Sequence, residues 1–239
     1  MSCCSAAGGI RPDETSGPNK PLKDLAWGLA SRGVAVLRFD KVTCAHPGQV
    51  ADARGFTLAE EYVPHAVAAV RVLQHQPGVD PARVFVLGHS AGGKAAPRVA
   101  AAEASVAGLV ILAGDAQPMH EAAIRAARYL AALNPGPDAE AFAGAITLQA
   151  ALAGSPDLSP LTPATELPFG TPARYGLDLR GYDPVATAAA LGKPMLILQG
   201  GRDYQVTIKD DLPGLPVGGS WWLIRGMPVR LLGSGCDVS

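Results

Sequence analysis

Residues 83–94, Arg-Val-Phe-Val-Leu-Gly-His-Ser-Ala-Gly-Gly-Lys, determine how the rest of the chain is interpreted. Residues 84–87 form a short run of β-branched and apolar residues, which is typical of a strand buried on both faces. A turn with glycines on both sides of Ser90 follows, and the alanine-rich residues 95–104 then favour a helix. The stretch therefore predicts a strand, a tight turn and a helix, with a serine at the apex of the turn.

That arrangement is the Gly-x-Ser-x-Gly motif of a nucleophile elbow. We expect the turn to be too sharp for a Cβ atom at Gly88 or Gly92, and its strain to lift the Ser90 hydroxyl clear of the sheet. Ser90 would then lie at a helix N-terminus, where N–H groups and the helix dipole favour a developing negative charge. The alternative is a glycine-rich turn of a doubly wound sheet, in which Ser90 is only a helix N-cap.

Further strands and helices alternate on both sides of this turn. Buried strands are expected at residues 34–39, 107–114 and 194–199, and the helices between them predict a parallel sheet. Residues 221–224 are expected to add an edge strand.

A long segment between two of these strands, residues 116–182, breaks the alternation. Helices are predicted at residues 119–133 and 139–152, followed by a proline-rich stretch. An insertion of this length at the ligand-binding edge of a sheet is usually a lid or cap. Its small, apolar residues suit a substrate with an apolar acyl or alkyl group.

Four segments of the chain resemble bacterial α/β-hydrolases of the esterase or serine-aminopeptidase-like group. They are residues 13–21, residues 38–41, the motif around Ser90, and residues 198–206. The resemblance implies a three-layer α/β fold, with a mostly parallel central sheet flanked by helices and a helical cap at residues 116–182. It also implies one domain over residues 1–239, with atypical tails at 1–12 and 212–239, and an activity that cleaves carboxylic esters through an acyl-enzyme.

The resemblance assigns the acid of a catalytic triad to Asp203, in the loop Gly-Gly-Arg-Asp that follows the strand at 194–199. A carboxylate leaving this edge of the sheet is suited to orient an imidazole beside Ser90. The alternative role for Asp203 is that of an Asx-turn residue. Asp115, just past the strand at 107–114, is the reserve candidate for the acid.

Two backbone amides are candidates for the oxyanion hole, namely those of Ala91 and Gly8. In the resembled family a His-Gly-x-Gly-Pro type loop supplies the second donor, and residues 5–9 read Ser-Ala-Ala-Gly-Gly here. Residues 1–4 are expected to be too short and too polar to form the strand that precedes this loop.

The general base is the position that the sequence does not fill. No histidine follows His120, so the chain order Ser, Asp, His cannot be met. His89 is adjacent to Ser90, but its side chain is expected to project away from the hydroxyl. His46 follows the carboxyl end of a strand and is the candidate substitute base.

Slow ester turnover is therefore predicted, and other functions stay open. One alternative is a hydrolase-fold protein that binds ligands or partners with little turnover, and another is a peptidase or acyltransferase on the same fold. The loss of resemblance at both ends suggests a change of reading frame or misplaced gene ends.

Composition excludes several other classes. The net charge of −1 gives no electrostatic footprint for nucleic acid or for an anionic membrane. No apolar run approaches the ~20 residues of a membrane span, and the N-terminus lacks the order of a signal peptide. The four cysteines, Cys3, Cys4, Cys44 and Cys236, have no metal-ligand spacing. We expect a cytoplasmic protein that uses no metal or cofactor and acts on a small-molecule ester; the sequence indicates no oligomeric state.

Overall fold

The computed structural model describes residues 2–4, 13–51, 56–212, 221–225 and 231–232. The strands in these ranges are β1 (Ser2–Cys4), β2 (Leu37–Arg38), β3 (Phe85–His89), β4 (Gly108–Leu112), β5 (Met195–Gln199), β6 (Trp221–Arg225) and β7 (Leu231–Leu232). The α-helices are α1 (Pro21–Ala30), α2 (Val42–Ala45), α3 (Pro47–Ala51), α4 (Leu58–Gln74), α5 (Ala91–Ala102), α6 (Met119–Leu133), α7 (Pro137–Gly154), α8 (Ala173–Arg180), α9 (Pro184–Ala190) and α10 (Ile208–Asp211).

All seven strands belong to one sheet, in the order β2-β1-β3-β4-β5-β6-β7. Every pair is parallel except β6 and β7, which are antiparallel. In the register, Leu112 of β4 lies opposite His89 of β3 and Leu198 of β5. The carboxyl ends of these three strands therefore meet at one edge of the sheet.

Helices cover both faces of the sheet, because successive residues of a buried strand point to opposite sides. Val86 of β3 belongs to the main buried cluster, which includes Val70 of α4 and Val99 of α5. Its neighbour Leu87 packs on the other face against Leu22 of α1. The three-layer arrangement with a mostly parallel sheet is thus confirmed.

The structure corrects the prediction that residues 1–4 cannot form a strand. Ser2–Cys4 pair in parallel with both β2 and β3. A strand placed between two others finds hydrogen-bond partners on both of its backbone edges, which stabilises even three polar residues. The strand expected at 34–39 is by contrast reduced to Leu37–Arg38 at the end of the sheet order.

The strand expected at 221–224 is present as β6, but it is not at the edge of the sheet. It pairs with β5 on one side and with β7 on the other. The sequence analysis did not identify β7, because a pair of leucines is too short to show any alternation.

The segment of residues 116–182, called here the insertion, contains three α-helices. Helix α6 coincides with its prediction, and α7 starts two residues earlier and ends two residues later than predicted. The two helices pack through small residues, with Ala123 and Ala127 of α6 against Ile146 of α7. Helix α8 follows the proline-rich stretch and was not predicted. In the described part of the chain, no helix is both long and apolar enough to span a membrane.

Candidate active site

Ser90 occupies a strained backbone conformation between β3 and α5. Its φ of 52° and ψ of −123° lie in a region that residues with a side chain rarely adopt, at a cost of about 1–3 kcal/mol. The Ser90 amide donates to the carbonyl oxygen of Leu112 at 2.9 Å, and its carbonyl accepts from the amide of Lys94 at 3.0 Å. These bonds anchor the turn to β4 on one side and to α5 on the other.

The turn is closed by backbone contacts that leave no room for side chains. A Cβ atom on Gly88 would lie 2.1 Å from the carbonyl oxygen of Gly92. A Cβ on Gly93 would lie 2.8 Å from the Cα of Gly114, in the loop after β4. The predicted reason for Gly88 is therefore correct. The approach of Gly93 to Gly114 was missed, since it joins segments about twenty residues apart.

The Ser90 hydroxyl is not used to cap the helix. Ser90 holds the N-cap position of α5, yet among the described residues its side chain makes no capping hydrogen bond. The helix begins at Ala91, so the Ala91 amide lies in its first turn, where N–H groups lack intrahelical partners. Gly8, the other predicted oxyanion donor, lies outside the described residues.

His89, the residue before Ser90, is held by a carboxylate that the sequence analysis did not single out. Its Nδ1 lies 2.7 Å from Oε1 of Glu14, which is buried and itself has a φ of 50°. The neighbouring Asp13 binds Arg38, and this hydrogen bond lowers the pKa of the Asp13 carboxyl. The segments at residues 13–21 and 38–41, which carry part of the family resemblance, thus contact each other and the residue before Ser90.

Asp203 lies in the loop after β5 and is bound mainly by its own loop. Its Oδ1 accepts the amides of Gln205 at 2.9 Å and Val206 at 3.1 Å, which is an Asx-type arrangement. Its Oδ2 accepts from Nε2 of the buried Gln199 at 3.3 Å. The Asx-turn role is therefore present in the structure, and it leaves room for a further partner because each carboxylate oxygen has two acceptor sites.

Ser90 and Asp203 follow two strands that flank the same neighbour. Parallel strands β3 and β5 both pair with β4. Adjacent strands lie about 4.8 Å apart, so the axes of β3 and β5 are separated by about 10 Å. Both residues therefore follow strands whose carboxyl ends lie at the same edge of the sheet.

Asp115, the reserve acid, is engaged by a buried lysine of α5. The Nζ of Lys94 donates to Oδ2 of Asp115 at 2.6 Å and to the carbonyl oxygen of Gln117 at 2.7 Å. Lys94 is 4% exposed, so it holds the start of the insertion against the helix that follows Ser90. This ion pair gives Asp115 a structural partner where an acid would need an imidazole.

The histidines are distributed around the fold. His46 is exposed at the end of α2, and His75 is exposed with its Nδ1 2.6 Å from the carbonyl oxygen of Arg71. His120 is the second residue of α6 and lines a cavity of about 530 Å³ together with Gln117 and Asp210. Ser90 is not among the described residues that line this cavity.

A second buried ionic cluster connects the insertion to the core. Nζ of Lys41 lies 3.3 Å from Oε1 of Glu61 in α4, and both side chains are almost completely buried. Burial lowers the pKa of Lys41, and the charge of Glu61 opposes this shift. The Tyr175 hydroxyl of α8 donates to Glu61 Oε2 at 2.8 Å, and burial together with the Glu61 charge raises the pKa of Tyr175. No group of three or more potential metal ligands occurs in the described part of the chain.

Comparison with known proteins places these features in a family context. The protein-family model described as "Alpha/beta hydrolase family" matches residues 20–236 of this chain. Esterase EstD of Thermotoga maritima is 39% identical over 199 residues, which cover 83% of this chain but only 45% of EstD. The chain thus spans less than half the length of that relative.

Solved structures agree on the fold at low sequence identity. Est1E from Butyrivibrio proteoclasticus, with ferulic acid bound, has a TM-score of 0.59 at 19% identity and covers 94% of this chain and 78% of its own. The α/β-hydrolase GrgF from Penicillium has a TM-score of 0.59 at 15% identity, with coverages of 94% and 81%. At such identities the likeness concerns the fold alone.

Proposed function

Because the chain belongs to the alpha/beta hydrolase family, we propose that it is a serine hydrolase that cleaves carboxylic esters through an acyl-enzyme on Ser90. The observation that carries this proposal is the strained, uncapped Ser90 at the N-terminus of α5. Strain of this kind clusters at functional sites, and a plain helix cap would not require it. The name of EstD, an esterase, supports the same reaction class.

In the proposed reaction the Ser90 oxygen attacks the ester carbonyl carbon and loses its proton to a base. The Ala91 amide donates to the oxyanion, and the alcohol leaves with a proton returned by the base. Water then attacks the acyl carbonyl carbon and gives a proton to the base. The Ser90 oxygen leaves and takes a proton back from the base. Asp203 acts by orienting the imidazole that serves as base and by stabilising its charged form.

The substrate we propose is a small ester with an apolar acyl or alkyl group, and the insertion is the proposed cap over it. Helix α8 of the insertion reaches the core through two buried or half-buried contacts. Tyr175 binds Glu61 of α4, and Arg98 of α5 binds Asp178 with its Nη1 2.8 and 2.7 Å from the two carboxylate oxygens. A cap tied down at these points would place its apolar helices beside the edge that carries Ser90.

Turnover is predicted to be slow because no histidine follows His120. In subtilisin, loss of the triad histidine lowers kcat by about 10⁶, since the hydroxyl then keeps its proton. The remaining acceleration, about 10³–10⁴ over water, comes from the oxyanion hole and substrate binding. Exposed His46 is the candidate substitute base.

The test is hydrolysis of p-nitrophenyl butyrate by the purified chain, beside Ser90→Ala and His46→Ala. We expect slow turnover that disappears in Ser90→Ala. Turnover unaffected by Ser90→Ala would exclude Ser90 as the nucleophile. Fast turnover lost in His46→Ala would show that the predicted slowness is wrong and would identify the base.

The second candidate function is a hydrolase-fold protein that binds a ligand or partner without turnover. The unfilled base position favours it. A fluorophosphonate probe separates the two functions, because only an activated serine hydroxyl reacts with it. Labelling that is lost in Ser90→Ala supports the hydrolase, and a wild-type chain that stays unlabelled and inactive supports the binding protein.

A further inference from the structure

Asp211, at the end of α10, is a buried carboxylate on which three segments of the chain converge. Its Oδ1 accepts the amides of Ala116 at 3.0 Å and Gln117 at 3.2 Å, where the insertion begins. Its Oδ2 accepts the amide of Thr207 at 2.7 Å and Nη2 of Arg125 at 3.1 Å. Asp211 is 1% exposed, so each of these bonds forms in a water-poor environment.

Arg125 of α6 extends this contact to the loop that carries Asp203. The same Nη2 donates to the carbonyl oxygen of Gln205 at 2.9 Å, and Nη1 lies 3.5 Å from Oδ2 of Asp210. The amide of Gln205 in turn donates to Oδ1 of Asp203 at 2.9 Å. Both backbone polar groups of Gln205 are thus bound: its carbonyl oxygen by Arg125 and its amide by Asp203.

A ring contact one helical turn further along α6 reinforces the same loop. Tyr129 stacks on Tyr204, with ring centroids 4.9 Å apart and ring planes inclined by 10°. Tyr204 is the residue directly after Asp203. The α6 helix therefore contacts both residues that follow the proposed acid, whereas Gln199 holds the loop at its base.

We propose that Arg125, Asp211 and Tyr129 are positioning residues, through which the insertion sets the location of Asp203. The inference rests on the proposed function, in which Asp203 orients the base. Asp203 is only half-buried and is bound mainly within its own loop, so the direction of its carboxylate follows the position of that loop. A displacement of about 1 Å in such a group lowers the rate by about 10²-fold.

The test uses p-nitrophenyl butyrate with added imidazole as the base, and Ser90→Ala as the blank at every imidazole concentration. We compare the wild type, Arg125→Met, Tyr129→Ala, Asp203→Asn and the double variant Arg125→Met/Asp203→Asn. Arg128→Met is the matched control, because Arg128 is an exposed arginine on the same helix. Hydrogen exchange of peptides covering residues 200–212 is measured on the same samples.

Arg125→Met is expected to lower the imidazole-dependent part of the Ser90-dependent kcat by about 10-fold to 100-fold with little change in KM. Faster exchange in residues 200–212, but not in residues 85–112, is expected to accompany it. In the Asp203→Asn background, Arg125→Met should lower kcat by less than about 2-fold, because residues that act as a unit are not additive. Tyr129→Ala removes only an exposed ring and keeps the test valid if Arg125→Met folds poorly; it should act in the same direction.

Four outcomes overturn the inference. Equal losses from Arg125→Met in both backgrounds would show a general structural role. Unchanged exchange in residues 200–212 of a folded Arg125→Met or Tyr129→Ala variant would show that α6 does not hold the loop. Absence of Ser90-dependent turnover in the wild type overturns the proposed function itself and the inference with it, whereas full activity in the variants overturns the inference alone.

Discussion

The turn that carries Ser90 and the loop that carries Asp203 leave the same edge of the sheet but are held in different ways. The Ser90 turn is closed by its own backbone, in which Gly88 packs against Gly92 and Ser90 forms backbone hydrogen bonds with β4 and α5. The Asp203 loop is held by side chains, through Gln199 at its base and Arg125 of α6 on its outer side. A position set by main-chain sterics tolerates almost no substitution, and a position set by side chains is adjustable.

The largest expected effect tests the rigid half of this comparison with a single methyl group. Gly88→Ala would place a Cβ 2.1 Å from the carbonyl oxygen of Gly92, so the strand or the helix must move. We expect a loss of about 3 kcal/mol or more in the free energy of unfolding, measured by urea denaturation.

Gly201→Ala is the matched control in the Asp203 loop. A Cβ on Gly201 would meet no atom within 4 Å. We expect a change within about 0.5 kcal/mol, as for most surface substitutions. If both glycines tolerate alanine equally, the Ser90 turn is not sterically closed in the way described.

The two halves also differ in how much the sequence reveals of them. The strand, turn and helix around Ser90 were predictable because glycine, serine and alanine act within a few residues. The contacts that fix the Asp203 loop were not predictable, since Arg125 lies 80 residues from Gln205 and 86 residues from Asp211. On sequence grounds Arg125 is an ordinary surface arginine, and Asp211 an ordinary helix-end carboxylate.

Strand β1 illustrates the same limit. It was excluded because residues 1–4 are short and polar, yet its backbone pairs with β2 and β3 on both sides. Strands β3, β4 and β5 were predicted because their burial on both faces demands a continuous apolar run. Local signals therefore predicted the centre of the fold and the serine, and long-range pairing determined the rest.

The second prediction concerns Asp203 and the added base. Asp203→Asn keeps an oxygen that can accept the Gln205 and Val206 amides, so the loop should keep its shape. An acid that works through an imidazole has little effect without one. We expect the imidazole-independent rate to stay within about 3-fold of wild type, for the same reason.

The imidazole-dependent rate should respond quite differently. In an intact triad the same acid-to-amide change lowers kcat by about 10⁴. A free imidazole depends less on orientation by its partner, so we expect about a 10²-fold lower slope of rate against imidazole concentration. A wild-type slope in Asp203→Asn would leave Asp203 with the Asx-turn role alone.

The smallest expected effect concerns the contact between the insertion and the Ser90 side of the core. There the insertion is joined to α4 through the Tyr175 hydroxyl, which donates to Glu61 at 2.8 Å. Tyr175→Phe removes this bond to a charged group, and we expect a loss of about 1.5 kcal/mol in the free energy of unfolding near pH 8.

The pH dependence of that loss follows from the raised pKa of Tyr175, whose causes are burial and the Glu61 charge. The unfolded tyrosine titrates near its ordinary pKa of 10.0, while the folded one keeps its proton to higher pH. The stability that Tyr175 contributes is therefore fully present below pH 10 and falls as the pH rises above it. The difference in the free energy of unfolding between wild type and Tyr175→Phe should accordingly shrink above pH 10, in urea unfolding measured across that range.

Tyr182→Phe serves as the comparison variant. Burial also raises the pKa of Tyr182, but its hydroxyl donates to the backbone carbonyl oxygen of Lys94 and not to a carboxylate. A difference that stays constant, or grows, above pH 10 would mean that Tyr175 is not held against Glu61, and that the insertion is fixed to the core mainly on the side of the Asp203 loop.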